Sequence, residues 1–329
     1  MPTIVTLPSP GIIKAPTEPT DLLVRFPEQT QSFLEQAQHA PSFLMRRVPR
    51  NIRHERAFPN DGESSFYYVA YERAENLIRE WEKLVAAINQ AGGKVGVLVP
   101  QQSTGPANVA VQDTAVILYD VHAAPHSSRG PATILLANFS QQKSDRADEP
   151  HHIKELYKQI GSTVIDPPAE AELECGDLVV FGNKILVRQP DAESRINRAG
   201  LQYLRDGAEP LGYSIIPIEM HGSLHLTHAC TWAGFSKTGA PRFVIDTRLL
   251  TDVSQFSSHG FETIDVASCA SKHSANVLLV GDFLIIQDED LRLQELLIRA
   301  GFDQKKLMPV LWETMASNDI GFTCCTVTV

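Results

Sequence analysis

The chain has 329 residues, of which 43% are hydrophobic and 21% are charged, and its formal net charge is -10 at pH 7. This composition supplies a large core and is typical of a soluble globular protein. The acidic balance argues against a nucleic-acid surface, which needs clustered lysine and arginine. No apolar run reaches the roughly 18 residues of a membrane span, so we expect no membrane partner.

The first 40 residues are rich in proline, threonine and serine and predict an irregular N-terminal extension. The opening stretch MPTIVTLPSPGIIKAP lacks the basic and continuous apolar segments of a secretory signal. Five cysteines, an odd count without CxxC pairs, indicate free thiols in a reducing compartment. We therefore expect a cytoplasmic protein in which residues 41–329 form a single domain, with a first strand just after Ser42.

One pattern then recurs along the chain: a helix, a glycine that ends it, and a short apolar strand. The first copy is an amphipathic helix that is followed by Gly92-Gly93 and VGVLVP. Its apolar face consists of Leu77, Ile78, Trp81, Leu84, Val85 and Ile88. Further copies end at Gly161, Gly212, Gly260 and Gly301, before STVIDPP, YSIIPIE, FETIDV and KLMPV. Glycine suits these positions because it adopts the left-handed conformation that ends a helix.

Apolar hairpins lie between the copies. LVVFGNKILV and NVLLVGDFLII carry Gly182-Asn183 and Gly281-Asp282 at their centres, which favour two-residue turns. Five helix-glycine-strand units with intervening hairpins predict an α/β fold of ββαβ pseudo-repeats arranged around an axis. An ordinary α/β sandwich with irregular repeats also fits this pattern.

Four segments place reactive side chains in strand-like apolar sequence: QDTAVIL around Asp113, LECGDLVV around Glu174, SLHLTHACTWAG around His225 and NDIGFTCCTVTV around Cys324. Taken singly, the carboxylates fit strand-end caps, the histidine a hydrogen-bonded core residue and the cysteine a small buried hydrophobe. Together they supply a nucleophile, a base and a carboxylate that orients the base. Since adjacent strand residues point to opposite faces, Cys324 and Cys325 are expected to differ, with one thiol facing a central site.

These segments, in this order, resemble those of the dimethylarginine dimethylaminohydrolases, relatives of the arginine deiminases and amidinotransferases in the guanidino-group-modifying (pentein) superfamily. DIGFTCC at residues 319–325 resembles the family's Asp-Gly-Leu-Leu-Thr-Cys-Cys ending, and LHLT at 224–227 resembles its Leu-His-Leu-Lys. LECGD at 173–177 resembles its acidic-Gly-Gly-Asp segment, and QDTAV at 112–116 resembles its Glu-Asp-x-Ala-Val. RIN at 195–197 resembles its Arg-Thr-Asn. The similarity covers about residues 42–329 and is strongest in the second half.

The resemblance implies a five-bladed α/β propeller and assigns roles within it. Cys324 would be the nucleophile, His225 the general acid and base, and Glu174 the carboxylate that orients the imidazole. Asp113 and Asp319 would hold the nitrogens of a guanidinium. The implied partner is a small cationic guanidino substrate, and this chemistry needs no metal or organic cofactor. A monomer and a homodimer both remain open.

Three departures from the family pattern bear on the substrate. Where the family has Glu directly before the guanidinium-binding Asp, this chain has Gln112. Where the family has another Asp, six positions before the guanidinium-binding one, this chain has Ala107. The family's Thr-Arg-Pro falls within LANF at 136–139, which has no arginine. Gln112 and Arg195 remain as further predicted substrate contacts. Arg195 is the one that could bind a carboxylate of the substrate. These losses indicate a substrate without a free amino-acid head, such as a blocked arginine, a cyclic dipeptide or another guanidino metabolite; free arginine and methylarginine stay open.

The resemblance favours a hydrolase that forms a covalent S-alkylthiouronium intermediate and releases a ureido product. Two alternatives remain: an amidinotransferase that uses the same intermediate, and a catalytically silent binding protein. A silent scaffold has no need of a cysteine, a histidine and acidic groups together. Residues 62–72 and 120–129 are candidate lids over the site, or else a core-helix start and a surface loop.

Overall fold

The structure is a computed structural model that describes residues 4–6, 42–48, 74–98, 109–122, 132–139, 146–159, 161–288, 290–317 and 319–328. The predicted extension lies outside these ranges except for residues 4–6, as do the candidate lid at 62–72 and most of the one at 120–129. The helices are α1 (Ala74–Gln90), α2 (Glu149–Gln159), α3 (Arg198–Ala208), α4 (Leu226–Ala229), α5 (Ser254–Ser258), α6 (Leu291–Arg299) and α7 (Glu313–Ala316).

The strands of the described residues form five small sheets. The first contains β1 (Ile4–Thr6), β2 (Ser42–Arg46), β3 (Lys94–Leu98) and β16 (Val327–Thr328). The second contains β4 (Ala115–Leu118), β5 (Thr133–Leu136) and β6 (Thr163–Ile165), and the third β7 (Leu178–Phe181), β8 (Lys184–Arg188) and β9 (Ser214–Ile218). The fourth contains β10 (Cys230–Phe235), β11 (Pro241–Ile245) and β12 (Glu262–Asp265), and the fifth β13 (Leu278–Val280), β14 (Phe283–Gln287) and β15 (Leu307–Val310).

All five sheets repeat one topology. An antiparallel pair is followed by a helix and by a third strand that runs parallel to the second, as in β7, β8, α3 and β9. In the first sheet the antiparallel partner of β2 is β16, so strands from opposite ends of the described chain complete this blade. β1 extends its other edge beside β3. The predicted five-bladed α/β propeller of ββαβ units is confirmed.

The glycines predicted to end the five helical segments adopt the left-handed conformation. Their φ angles are 87° at Gly92, 79° at Gly161, 89° at Gly212, 75° at Gly260 and 90° at Gly301. A side chain at such an angle is strained, so these glycines set where each helix stops and the next strand begins. The fourth helical segment is shorter than predicted, because α5 covers only Ser254–Ser258.

A short turn precedes the first strand of every blade, and these five turns position the candidate site. They are the 3-10 turns Val111–Thr114, Cys175–Asp177 and Thr323–Cys325, the short helix α4, and a turn at residues 272–275. Each therefore occupies the same place in its repeat, which is why residues far apart in sequence meet. In the part of the chain that is described, no helix is long and apolar enough to cross a bilayer.

Candidate active site

The predicted histidine and glutamate form a buried pair. His225, directly before α4, places Nε2 2.9 Å from Oε2 of Glu174, which directly precedes the turn Cys175–Asp177. The two side chains are 3% and 0% exposed. A carboxylate on Nε2 accepts a proton held there, so it fixes the orientation of the ring and leaves Nδ1 as the nitrogen that can exchange a proton.

Asp177 and Gly176 bring the histidine turn against the glutamate turn. Asp177 is fully buried, and its carboxylate accepts hydrogen bonds from the backbone nitrogens of Leu226 at 3.1 Å and Arg195 at 2.8 Å. Burial raises the pKa of Asp177. A Cβ atom on Gly176 would lie 2.6 Å from both Asp113 Oδ1 and His225 Nδ1, so only glycine lets the backbone approach this closely. Sequence reasoning did not assign a role to either residue.

Asp113 presents one carboxylate oxygen to the site. Its Oδ2 accepts a hydrogen bond from Nη1 of Arg146 at 2.8 Å. Its Oδ1 is buried, lies 3.8 Å from His225 Nδ1, and has no hydrogen-bond partner among the described residues. An unpaired buried oxygen is costly, so Oδ1 is an acceptor suited to a ligand N–H. In the preceding residue, Gln112, the buried Oε1 also lacks a hydrogen-bond partner within the described ranges.

A chain of buried charges holds Asp113 from behind. Arg146 also donates to Glu149 through Nε at 3.1 Å and Nη2 at 3.0 Å, and Arg46 of β2 donates to the same carboxylate at 3.1 Å. Burial opposes the charge of Arg146, but Glu149 and Asp113 outweigh it and raise its pKa well above the usual value. The guanidinium stacks over Phe139, 4.7 Å from the ring centroid. Sequence reasoning missed Arg146 because it follows a strand in a segment without an apolar pattern.

Cys324 lies in the 3-10 turn Thr323–Cys325, and this corrects the strand that the sequence predicted for it. Asn276 fixes the turn: its Nδ2 donates to Thr227 O at 2.9 Å and to Thr323 Oγ1 at 2.8 Å, while its Oδ1 accepts from Thr323 N at 3.1 Å. The cysteine turn is thereby tied to the histidine turn. Cys324 is 3% exposed, and burial, followed by the charge of Asp113, raises the pKa of its thiol to about 12.

The imidazole beside the sulfur is that of His228. Its Nε2 lies 3.9 Å from Cys324 Sγ, at the outer limit for a hydrogen bond to sulfur. Among the hydrogen bonds of the described residues, none joins His225 to this sulfur. His228 was not singled out from the sequence. The available signal was a second histidine three residues after His225 in otherwise apolar sequence.

Asp319 is engaged by protein cations. Its Oδ1 contacts the ammonium of Lys272 and lies 3.3 Å from His273 Nε2, an ion-pair distance rather than a well-aligned hydrogen bond. Burial opposes its ionisation, but His273 and Lys272 outweigh burial and lower its pKa. The backbone of Arg195 joins the site through Asp177, and its side chain is partly buried. The roles of Asp319 and Arg195 in holding a substrate stay predictions.

One group of side chains in the described residues could supply metal ligands: Asp113, Glu174 and His225. Their potential ligand atoms lie within 4.8 Å of one another. The two carboxylates lie against different nitrogens of one imidazole ring, and Arg146 already neutralises Asp113. A metal ion needs ligand atoms that converge on one point. This arrangement fits proton transfer better than metal binding.

The chain was compared with known proteins. No family model matches it. A curated relative, the N(G),N(G)-dimethylarginine dimethylaminohydrolase of Streptomyces coelicolor, is 25% identical over 178 residues, which are 54% of this chain and 62% of the relative. The matched region thus spans less than two thirds of that relative.

Solved structures match over 88% of this chain. They include a dimethylarginine dimethylaminohydrolase adduct with S-methyl-L-thiocitrulline, with a TM-score of 0.67, 16% identity and 100% of that chain covered. A Pseudomonas aeruginosa dimethylarginine dimethylaminohydrolase complexed with citrulline matches with a TM-score of 0.65, 15% identity and 99% coverage. The N-terminal domain of ArgZ, a cyanobacterial arginine dihydrolase, matches with a TM-score of 0.66, 16% identity and 97% of that chain covered. The chain therefore has the pentein fold of these structures, and over 54% of its length it is similar in sequence to a dimethylarginine dimethylaminohydrolase.

Proposed function

We propose that this protein is a cysteine-dependent hydrolase of a guanidino substrate that gives a ureido product and ammonia or an amine. One observation carries the proposal: adjoining buried turns hold a thiol, a carboxylate-paired imidazole and a carboxylate with one oxygen unpartnered in the described structure. These belong to Cys324, His225 with Glu174, and Asp113. The similarity to the Streptomyces coelicolor relative supports the same chemistry.

Substrate binding is assigned first to Asp113. A guanidinium stays charged in proteins and donates from a planar fork, so it fits the unpaired Oδ1. Holding one edge of the fork there would bring the guanidinium carbon to the sulfur in a fixed orientation. Asp319, the second predicted carboxylate, is already paired with Lys272 and His273, so we give it a secondary part.

Binding of the cation also activates the sulfur. In the structure, the buried thiol of Cys324 has its pKa raised to about 12, and the charge of Asp113 contributes to this. A guanidinium pairs with Asp113 and stabilises a thiolate beside it, because an opposite charge favours the ionised form. The nucleophile is therefore protonated at rest and becomes reactive when substrate is present.

The reaction would proceed in two halves. The sulfur, which releases its proton as the cation binds, attacks the guanidinium carbon as a thiolate. A C–S bond forms, and the C–N π pair moves onto nitrogen. His225 then protonates the departing nitrogen, the C–N bond breaks, and an S-alkylthiouronium remains. His225 next takes a proton from water, which adds to the same carbon. The hydroxyl of the adduct then loses its proton to solvent as the C=O bond forms, the C–S bond breaks with its electron pair on sulfur, and the thiolate and a ureido product are released.

The substrate class is proposed as a guanidino compound without a free amino-acid head. In the segment that would carry the family's arginine, Asn138 donates to Ala171 O at 2.7 Å and Phe139 packs under Arg146, so neither offers a cation to a carboxylate. Ala107, a further departure, lies outside the described residues. An arginine with a blocked head, or a cyclic dipeptide of arginine, fits this better than free arginine does.

A colorimetric assay for ureido groups tests the function. The panel contains arginine, methylated arginines, N-blocked arginine amide and an arginine-containing cyclic dipeptide, each with wild type and Cys324→Ala. We expect a ureido product from at least one compound with wild type and none with the variant. An amidinotransferase would form no free ureido product and would need an amine acceptor, whereas binding without product from any compound would identify a silent protein and end the proposal.

A further inference from the structure

His228 is a buried imidazole that the proposed mechanism does not yet use. It is 3% exposed and lies on α4, three residues after His225, with Nε2 3.9 Å from Cys324 Sγ. The two histidine rings point to different partners, with His225 on Glu174 and His228 on the sulfur. One short helical turn thus carries two imidazoles in two separate contacts.

The contacts of Ser223 favour one tautomer of His228. Ser223 Oγ donates to the carbonyl oxygen of His225 at 3.5 Å and lies 3.2 Å from His228 Nδ1. In the tautomer with the hydrogen on Nδ1, this nitrogen donates to the Ser223 oxygen while the hydroxyl donates to His225, so both contacts are satisfied. Nε2 is then unprotonated where it faces Cys324, and it can accept a proton from the thiol.

The surroundings keep this imidazole neutral. The ring of His273 lies 4.8 Å away edge-on and that of His225 6.1 Å away, with Asp319 and Lys272 beyond His273. Burial, followed by His273 and His225, lowers the pKa of His228 well below its usual value, although Asp319 acts in the opposite direction. The ring is therefore unprotonated at rest, and Nε2 can take the thiol proton once the bound guanidinium favours the thiolate.

We propose that His228 is a catalytic residue that takes the proton of Cys324 while the sulfur attacks the guanidinium carbon. As the C–S bond forms, the S–H bond breaks, its electron pair stays on sulfur, and the proton moves to Nε2. When the thiolate leaves in the second half, the proton returns to it. His225 then serves only the departing nitrogen and the attacking water. The inference rests on the proposed function, since it divides that mechanism between two histidines.

The test follows the sulfur directly, without turnover. Iodoacetamide alkylation of Cys324 is timed by peptide mass spectrometry at several pH values in wild type, His228→Gln and His225→Gln. We expect His228→Gln to slow alkylation at pH 7 by about tenfold or more, and to lower kcat/KM by about 10²-fold, as for a lost general base. The difference in alkylation should shrink at high pH, where hydroxide removes the proton. His225→Gln should keep the alkylation rate and lose turnover.

The outcomes separate the two proposals. Equal Cys324 alkylation in wild type and His228→Gln overturns the role of His228, whatever the turnover. Slower alkylation in the variant, together with a wild type that hydrolyses no guanidino compound, supports the Cys324–His228 pair and overturns the proposed function. Cys175, a buried thiol of another blade, reports the fold, because its labelling rises if His228→Gln unfolds. If His228→Gln unfolds, Ser223→Ala is used instead, because Ser223 Oγ contacts Nδ1 of His228. An unchanged rate of Cys324 alkylation in that variant overturns the inference.

Discussion

Arg146 donates to Oδ2 of Asp113 across 2.8 Å, so the carboxylate assigned to a guanidinium substrate already holds a guanidinium of the protein itself. The internal partner occupies one oxygen and leaves the other to the site. Asp113 is thereby oriented and paired with a counter-ion although it is buried. A buried carboxylate without such a partner is costly.

Removal of this internal partner should be costly. Arg146→Met leaves two carboxylates, those of Asp113 and Glu149, short of a buried counter-ion, which typically costs about 3–5 kcal/mol. Urea denaturation measures the loss. The matched control is Arg79→Met, which breaks an exposed pair with Glu75 and should cost less than about 1 kcal/mol. Similar losses of unfolding free energy in the two variants would mean that the buried ion pairs of Arg146 contribute no more stability than an exposed pair does.

The two adjacent cysteines should behave differently. Cys324→Ala should abolish turnover, because the proposed mechanism forms its covalent intermediate on this sulfur. Cys325→Ala should keep a measurable fraction of activity, because this thiol is fully buried in the core with Trp312 and Phe322. Steady-state kinetics on the same substrate compares them. Activity in Cys324→Ala equal to that of wild type would refute the nucleophile.

A cationic reagent should select Cys324 among the five thiols. A haloacetamidine carries the charge that pairs with Asp113 and favours thiolate, whereas neutral iodoacetamide meets a thiol whose pKa is raised to about 12. We expect the cationic reagent to label Cys324 faster than Cys175, Cys230, Cys269 and Cys325, as measured by peptide mass spectrometry. Uniform labelling of all five would count against a tuned site.

Gly176→Ala should damage the site more than the fold. Its Cβ would lie 2.6 Å from Asp113 Oδ1 and from His225 Nδ1, so both groups must move apart. A displacement of about 1 Å at a reacting group typically lowers kcat about 10²-fold. The control is Gly207→Ala, whose nearest group would be the flexible Leu135 side chain, 2.4 Å from the Cβ, and which should keep the wild-type kcat. Equal kcat values for both variants would contradict this.

Asp319 should contribute stability that depends on pH. Its pKa is lowered from 3.8 because His273 and Lys272 outweigh burial. A carboxyl with a lowered folded-state pKa stabilises the fold above its unfolded pKa and loses that contribution as pH falls through the folded value. Asp319→Asn should therefore be less stable than wild type at pH 6, with a gap that shrinks below pH 3.8. Asparagine tolerates the φ of 55° at this position. Urea denaturation across pH tests this, and a constant gap would contradict it.

Local sequence signals predicted the blades well, because the residues that end the helices act locally. Gly161 and Gly301 stop helices by their own backbone freedom, whatever lies around them. The pairing of Glu174 with His225 was also predicted, from the resemblance of their segments. In contrast, the prediction that Cys324 lies in a strand was wrong. A short apolar sequence does not distinguish a strand from a 3-10 turn that directly precedes a strand.

Partners across blades could not be predicted. Which histidine faces the sulfur depends on how α4 meets the turn Thr323–Cys325, and Asn276 sets this from a third blade. The same holds for Arg146, whose guanidinium reaches Asp113 over the ring of Phe139. Such contacts are fixed by packing between repeats, and the periodicity of one repeat carries no information about them.

The hydrogen bonds between β16 and β2 place Val327 beside Leu44 and Thr328 beside Phe43. Backbone pairing, rather than a covalent link, therefore joins these two segments. A circular permutant that connects residue 328 to residue 42 through a short linker omits β1, and opening the chain in the exposed turn at residues 237–239 moves the break from the first blade to the β10–β11 hairpin of the fourth. The groups of the site would then follow one another in a different chain order, yet they would occupy the same places in space.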